Sequence, residues 1–333
     1  MNARTVNRRE NGENDNNLPS KQIVKNFQNA FTIEYDDMRD EDPLAVHPYS
    51  QDMMKYLNTR ERMYTIADYT TGLHAEISDF KVRAILMDWS NEVQSTLRLG
   101  HDTLFLSMKL IDVFLSRSRN FKKDDLSSLV LASILLAAKY EETFGPAIDD
   151  LSYLGDVPRE KILKMELDLF ATLGYDLGAP IATKYLDRLL KMAEFDDMRV
   201  SLSRYLLELV YLYLPVARAS AAKICAAVIF LAMKMTDNES WTSVLEEQTE
   251  MSLAEVTLLA NNLNHSIHLM RRRWHNLSSI DKKYLPEEDR RKVDKTGSRQ
   301  FQRKGVTSIP LPRDVYADHS NHVPLPDFAL FIM

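Results

Sequence analysis

Two nearly continuous apolar segments dominate the hydrophobic pattern of this chain. Residues 126–140 and 221–235 carry mostly apolar side chains, and both end on a Leu-Ala-x-Lys pattern that recurs after 95 residues. A helix that is apolar around its whole circumference has to be enclosed by other helices. The pattern therefore predicts two central helices, each inside its own bundle, and hence two tandem all-α domains.

Apolar residues spaced three and four positions apart predict further helices around each central segment. The first bundle is predicted to hold helices over residues 79–99, 104–115, 126–140, 147–154 and 159–173. The second is predicted to hold helices over residues 181–192, 199–213, 221–235, 241–249 and 253–270. A further helix, over 47–62, precedes the first bundle. Pro158 suits a helix start, and Pro215 is expected to separate two helices without kinking either.

Composition divides the chain into four parts. Residues 1–42 contain eight Asn and few apolar residues, so they are predicted to form an unfolded tail. Five prolines and mixed charges predict a second tail over residues 286–333. The two five-helix bundles are assigned to residues 43–177, with the preceding helix, and to residues 178–285.

Composition and charge also narrow the function classes. Only 9 of the 333 residues are Gly, well below the usual ~7%, which favours helices over sheets with many tight turns. The formal net charge of −6 disfavours direct binding to nucleic acid. The lone Cys225 leaves no disulfide framework and indicates a reducing compartment. No run of 18 apolar residues predicts a membrane span.

Motifs for catalysis, nucleotide binding and metal binding are not found. No Gly-rich loop opens a helix, and the signature motifs of protein kinases are missing. His265 and His268 lie three residues apart but have no acidic third ligand nearby. We therefore expect no catalytic residue, no cofactor and no metal. The arginines at 271–273 follow the last predicted helix, where positive charges interact favourably with the negative end of the helix dipole. A nuclear-import role for them stays open.

Three short motifs resemble the cyclin family. Residues 82–89, Val-Arg-Ala-Ile-Leu-Met-Asp-Trp, are similar to the signature at the start of a cyclin box. Residues 135–142 and 164–167 resemble two further motifs of that box, and all three fall in order on predicted helices. The resemblance covers roughly residues 35–285. Within the family, the chain is most similar to G2/mitotic B-type cyclins and to their B-three subgroup. The segments that carry this similarity are residues 66–69, 175–178, 203–208 and 241–243.

The resemblance implies a non-catalytic regulatory subunit that binds a cyclin-dependent kinase as a heterodimer and activates it allosterically, controlling G2/M progression and cell division. Lys139 and Glu166 would then grip the kinase's mobile helix and the adjoining backbone. From the residues alone, the same pair is an ordinary interhelical ion pair worth ~0–1 kcal/mol. The resemblance also implies that the protein acts in the nucleus, and in the cytoplasm as a further location. The other implied kinase-binding residues are Tyr140, Phe170, Tyr175, Met53 and Tyr56.

An apolar stripe on the first helix of the bundle has two interpretations. Its spacing alone places it in the core, whereas the resemblance implies a shallow groove that docks substrate segments containing Arg-x-Leu. Val82 replaces the family's usual Met, Ser127 replaces a Gln, and Ser90 and Asn91 replace an apolar pair, so both interpretations stay open. The residues assigned to the groove are Val82, Ile85, Leu86, Trp89, Glu92, Leu126 and Ser127.

A charged residue within the same stripe is assigned a structural role. Arg83 is expected to pair with Asp112 inside the first bundle. Removing one partner of a buried ion pair costs roughly 3–5 kcal/mol, so this pair is predicted to matter for folding.

Two alternative functions stay open. A general transcription factor also uses tandem cyclin-like bundles, but that class carries a zinc ribbon and a basic surface, unlike a chain with one Cys and a net charge of −6. A transcription-associated cyclin is the closer alternative, and the kinase that copurifies with the chain would separate the two cyclin types.

Overall fold

The structure is a computed structural model that describes residues 49–284, apart from 75, 78, 237–240 and 275. This part of the chain forms thirteen α-helices and two short 3-10 helices, and it contains no β-strand. The predicted all-α class is therefore confirmed. The predicted tails, 1–42 and 286–333, lie outside the described residues.

The described helices follow the predicted order. Helix α1 spans Ser50–Glu61. The first bundle consists of α2 (Phe80–Leu97), α3 (His101–Arg117), α4 (Leu126–Glu141), α5 (Ile148–Gly155) and α6 (Arg159–Thr172). The second consists of α7 (Ala182–Met192), α8 (Asp197–Tyr211), α9 (Leu214–Arg218), α10 (Ala221–Met235), α11 (Ser243–Thr249) and α12 (Leu253–Arg273). Helix α13 (Ser279–Tyr284) follows.

The chain separates into two compact units, Met1–Met53 and Met54–Met333. Of the first unit, only residues 49–53 are described, and they include the first turn of α1. The second unit holds the rest of α1 and both bundles. The finer boundary between the bundles, at residues 177 and 178, stays a prediction.

The two apolar segments form the central helices of their bundles. Helix α4 packs against α2, α3, α5 and α6, and α10 packs against α7, α8, α11 and α12. Ser128 and Ser133 are buried polar exceptions on α4, and each hydroxyl donates to the carbonyl three residues earlier, at Asp125 and Val130. Because these hydroxyls are satisfied within the helix, α4 can be enclosed on all sides.

Side-chain caps define the starts of two long helices. The carboxylate of Asp79 accepts a hydrogen bond from the backbone amide of Lys81 at the start of α2. Ser252 and Glu255 form a reciprocal capping box at the start of α12. Such caps satisfy amides that have no partner within the helix, so both starts are encoded locally.

The region around Pro215 differs from the expectation. Pro215 does not lie between helices but in the first turn of the short helix α9. A proline is tolerated there because the first amides of a helix have no intrahelical acceptor. The predicted break between α8 and α10 is thus occupied by a helix of its own.

Helix α13, which the periodicity did not predict, contacts both bundles. On α2, Asp88 accepts hydrogen bonds from the Ser279 amide at 3.1 Å and the Ser279 hydroxyl at 2.9 Å. On α8, the fully buried Glu208 accepts from Lys283 Nζ at 2.7 Å and from the Tyr284 hydroxyl at 2.8 Å. These polar contacts hold α13 together with the buried Ile280, and polar contacts leave no hydrophobic pattern in the sequence.

We expect Asp88→Asn to change how stability depends on pH. Burial raises the pKa of Asp88 to about 6, although the hydrogen bonds from Ser279 oppose this shift. The folded-state pKa lies above the unfolded value, so this contribution to stability is fully present below the unfolded pKa and is lost as the pH rises through about 6. Between about pH 4 and pH 7, the wild type should lose on the order of 3 kcal/mol relative to the variant.

Urea denaturation of both proteins across this pH range measures the difference in the free energy of unfolding. Comparison with the variant removes the contribution of all other titrating groups. Parallel profiles for wild type and Asp88→Asn would contradict the assignment.

Candidate functional site

Lys139 and Glu166 face each other from α4 and α6. Lys139 Nζ lies 2.5 Å from Glu166 Oε1, and the two side chains are 53% and 11% exposed. The ammonium group has three donors, and the carboxylate has further acceptor capacity beyond this contact. The pair thus presents hydrogen-bonding groups to a partner from a fixed position on the surface.

Three of the predicted aromatic residues lie close in sequence to this ion pair. Tyr140 follows Lys139 directly and is 55% exposed, and Tyr175 is 70% exposed. Phe170 lies one helical turn after Glu166, and its ring meets that of Tyr175 edge to face, with centroids 5.1 Å apart. The structure therefore joins Lys139 to Glu166 and Phe170 to Tyr175, and the common role of these residues in kinase binding stays a prediction.

The two remaining residues of that set lie on α1. Tyr56 is exposed and belongs to the second compact unit. Met53 is also exposed but belongs to the first unit, so its place beside the other residues stays a prediction.

Sequence reasoning missed several exposed apolar residues on α5, α6 and the turn after α4. The side chain of Phe144 is 90% exposed. For Phe144, the available signal of exposure was its position in a polar turn. The other missed residues fit a helical periodicity, which predicts burial equally well. The further exposed residues are Tyr153, Leu163 and Leu167.

The end of α4 that carries Lys139 is anchored to the start of α3. The carboxylate of Glu142 accepts hydrogen bonds from the Gly100 amide at 2.6 Å and the Thr103 hydroxyl at 2.5 Å. Charge-assisted hydrogen bonds of this kind are stronger than neutral ones. They hold the last turn of α4 in place, so the ammonium group three residues earlier has a defined position.

The apolar stripe of α2 is buried in this structure. Of the two open interpretations, the 1% exposure of Trp89 fits the core better than a groove. Helix α2 packs against α3, α4, α9 and α13, which leaves little of its surface open. Glu92 and Ser127 are half-buried. Docking of Arg-x-Leu segments stays a prediction. The apolar residues of the proposed groove that are buried are Val82, Ile85, Leu86, Trp89 and Leu126.

The ion pair expected between Arg83 and Asp112 is present and fully buried. Arg83 Nε and Nη2 donate to the two oxygens of Asp112 at 2.8 and 2.7 Å. Tyr69 donates its hydroxyl to the same carboxylate at 2.7 Å, and Arg83 Nη1 donates to the Tyr211 carbonyl at 2.6 Å. Burial opposes the charged guanidinium, but Asp112 outweighs this effect and raises the pKa of Arg83. Because Tyr211 lies on α8, the pair also links the two bundles.

Groups suited to metal binding are not seen among the described residues, where no three His, Cys, Asp or Glu side chains cluster. Cys225 is buried, and burial raises the pKa of its thiol. Within the same residues, no helix has the length and apolar character needed to cross a membrane.

The chain matches two protein-family descriptions in tandem. "Cyclin, N-terminal domain" matches residues 52–178, and "Cyclin, C-terminal domain" matches residues 180–297.

Similar proteins include two invertebrate relatives. Over 251 residues the chain is 34% identical to the G2/mitotic-specific cyclin-B of Hydra vulgaris, covering 72% of this chain and 69% of that protein. Over 250 residues it is 36% identical to the G2/mitotic-specific cyclin-B3 of Caenorhabditis elegans, covering 74% of this chain. The match spans 64% of that relative's own length.

A viral cyclin from herpesvirus saimiri is similar among solved structures. Its TM-score is 0.55 at 21% identity, over 63% of this chain and 94% of that chain. At this identity, the likeness shows the fold alone.

Proposed function

Because this chain belongs to the cyclin family, we propose that it binds a cyclin-dependent serine/threonine kinase and activates it allosterically at the G2/M transition. Cyclins are non-catalytic regulatory subunits, so the phosphoryl-transfer residues belong to the partner. The relatives' names, which are G2/mitotic-specific, support the mitotic role. Action in the nucleus, and also in the cytoplasm, is part of this proposal.

The observation that carries the proposal is the ion pair of the half-exposed Lys139 with Glu166, together with the exposed aromatic side chains of Tyr140 and Tyr175. Exposed hydrogen-bonding groups give orientation, and aromatic residues supply most of the binding free energy at typical protein interfaces. The ion pair and Tyr140 lie on α4 and α6, whereas Tyr175 lies in the turn that follows α6. The surface is thus suited to a protein partner that presents backbone groups and apolar side chains.

Activation follows from binding one conformation of the kinase in preference to others. A ligand shifts a conformational equilibrium only by the difference between its affinities for the two states. Moving a population from 1:99 to 99:1 needs about 10⁴-fold tighter binding to the favoured state. A surface on which the ion pair and the aromatic side chains have fixed positions can discriminate in this way. A misaligned kinase helix would leave the polar groups of this surface unpaired.

Kinase activity in a reconstituted mixture tests the proposal. Purified chain is added to the inactive catalytic subunit of a mitotic cyclin-dependent kinase, and phosphorylation of histone is measured. We expect strong stimulation and no activity from the chain alone. Activity without the kinase, or no stimulation, would contradict the proposal. Stimulation of a transcription-type kinase instead would favour the transcription-associated alternative.

A further inference from the structure

The part of α1 that lies in the second unit has no buried side chain. Residues 54–61 are all exposed or half-buried, although they include the predicted kinase-binding residue Tyr56. Isolated helices shorter than about 12–15 residues are marginal in water. Apolar burial in this segment is limited to the half-buried Met54 and Leu57, so polar contacts contribute to its position.

Arg60 provides such a contact near the end of α1. Its Nη2 atom lies 2.8 and 2.7 Å from the two carboxylate oxygens of Asp176, in the segment between the bundles. The same nitrogen lies 3.0 Å from the Tyr64 hydroxyl and 3.3 Å from the Gly178 carbonyl. The Arg60 side chain is 17% exposed and that of Asp176 is 42% exposed, so this charge-assisted contact is only partly shielded from water.

The segment that contains Asp176 is shaped to receive the guanidinium group. A Cβ atom added to Gly178 would lie 2.9 Å from Arg60 Nη2 and 3.4 Å from Asp176 Oδ1. The amide of Gly178 also donates to Asp176 Oδ1 at 3.0 Å, which orients the carboxylate. Glycine at this position thus permits the close approach of the two charged groups.

The two elements joined by this contact both carry predicted kinase-binding residues. Tyr56 lies one turn before Arg60, whose guanidinium carbon is 6.0 Å from the tyrosine ring centroid. Tyr175 directly precedes Asp176 and has a left-handed backbone, with φ of +63°. A non-glycine residue rarely adopts this conformation, so neighbouring contacts have to maintain it.

We propose that Arg60 is a positioning residue, which clamps Asp176 and thereby holds α1 and the Tyr175 turn in the arrangement that the kinase binds. This inference rests on the proposed function. When the Arg60–Asp176 contact is formed, both elements are already ordered in the free protein. The entropic cost of ordering them then does not arise on binding, so it does not reduce the affinity for the partner.

The charge states of the two residues support the clamp. The hydrogen bond with Asp176 raises the pKa of Arg60, and the hydrogen bond from Arg60 lowers the pKa of Asp176. Each group therefore favours the charged form of the other, and both stay charged at neutral pH.

Affinity measurements on full-length variants test the clamp. We expect Arg60→Ala to weaken binding to the kinase by about tenfold, because α1 and the Tyr175 turn then have to be ordered on association. Arg60→Lys should show a smaller loss, since it keeps the charge but not the planar guanidinium. Gly178→Ala should shift the end of the Arg60 side chain without removing any charge, so it should weaken binding less than Arg60→Ala. Surface plasmon resonance measures the affinities. In Arg60→Ala, hydrogen–deuterium exchange over residues 54–61 should be faster than in the wild type.

A matched control is Arg204→Ala, which breaks an exposed pair with Asp187 at 3.3 Å in the second bundle. Its kinase affinity should equal that of the wild type. Combining Arg60→Ala with Asp176→Ala should cause no more loss than either change alone, because both open the same clamp. Unchanged kinase affinity in Arg60→Ala, or an equal loss in Arg204→Ala, would overturn the inference.

A failure of the proposed function would give a different result. In that case the wild type itself would not bind the kinase, and the binding part of the inference would fail with it. Exchange over residues 54–61 would still decide on the clamp: faster exchange in Arg60→Ala supports it, and unchanged exchange overturns it.

Discussion

Replacing both Lys139 and Glu166 with alanine is expected to abolish kinase binding while the fold stays intact. The ammonium group is half-exposed, and removing both partners together leaves no buried charge without its counterion. Their loss should weaken binding by about 100-fold or more, as for central residues of other interfaces. Isothermal titration with the kinase measures the affinity, and circular dichroism measures helicity and thermal stability.

A matched control for this variant is the exposed ion pair of Arg159 and Asp149 in the same bundle. Its atoms lie 2.8 Å apart, and both side chains are at least half-exposed. Replacing both residues with alanine should leave binding and stability unchanged within error. If the Lys139→Ala, Glu166→Ala variant binds the kinase like the wild type, the surface assigned to the partner is wrong.

Arg83→Ala is expected to cost roughly 3–5 kcal/mol of stability, because it leaves the carboxylate of Asp112 buried without its partner. The Tyr211 carbonyl loses its hydrogen bond from the guanidinium as well. Since typical domains are stable by about 5–15 kcal/mol, this loss would remove a large share of the free energy of unfolding. Urea denaturation followed by circular dichroism measures the loss.

A second variant separates the buried charge from the loss of side-chain volume. Arg83→Met combined with Asp112→Leu removes both charges and keeps most of the volume, so it should recover much of the lost stability. The recovery should be incomplete because the hydroxyl of Tyr69 loses its acceptor. A loss below about 1 kcal/mol in Arg83→Ala would show that water or another group compensates the buried carboxylate.

The sequence by itself determined the fold class and the central helices. Helices α4 and α10 are apolar on all sides, and such helices are stable in water only when others enclose them. The cyclin resemblance came from three short motifs on predicted helices of the first bundle, and it is confirmed by the matches over residues 52–178 and 180–297. The kinase-binding role of Lys139 came from that resemblance, since the residues alone indicate only an ordinary interhelical ion pair.

Only the tertiary structure decided which side chains are exposed and which distant polar groups meet. The spacing of Trp89 fits either a core or a groove, and the packing of four helices around α2 buries it. Arg60 and Asp176 are 116 residues apart, and α13 is held by Asp88 and Glu208. Helical periodicity reports only which face of one helix is apolar. Contacts between polar groups far apart in the chain have no such period, so they become visible only once the helices are packed.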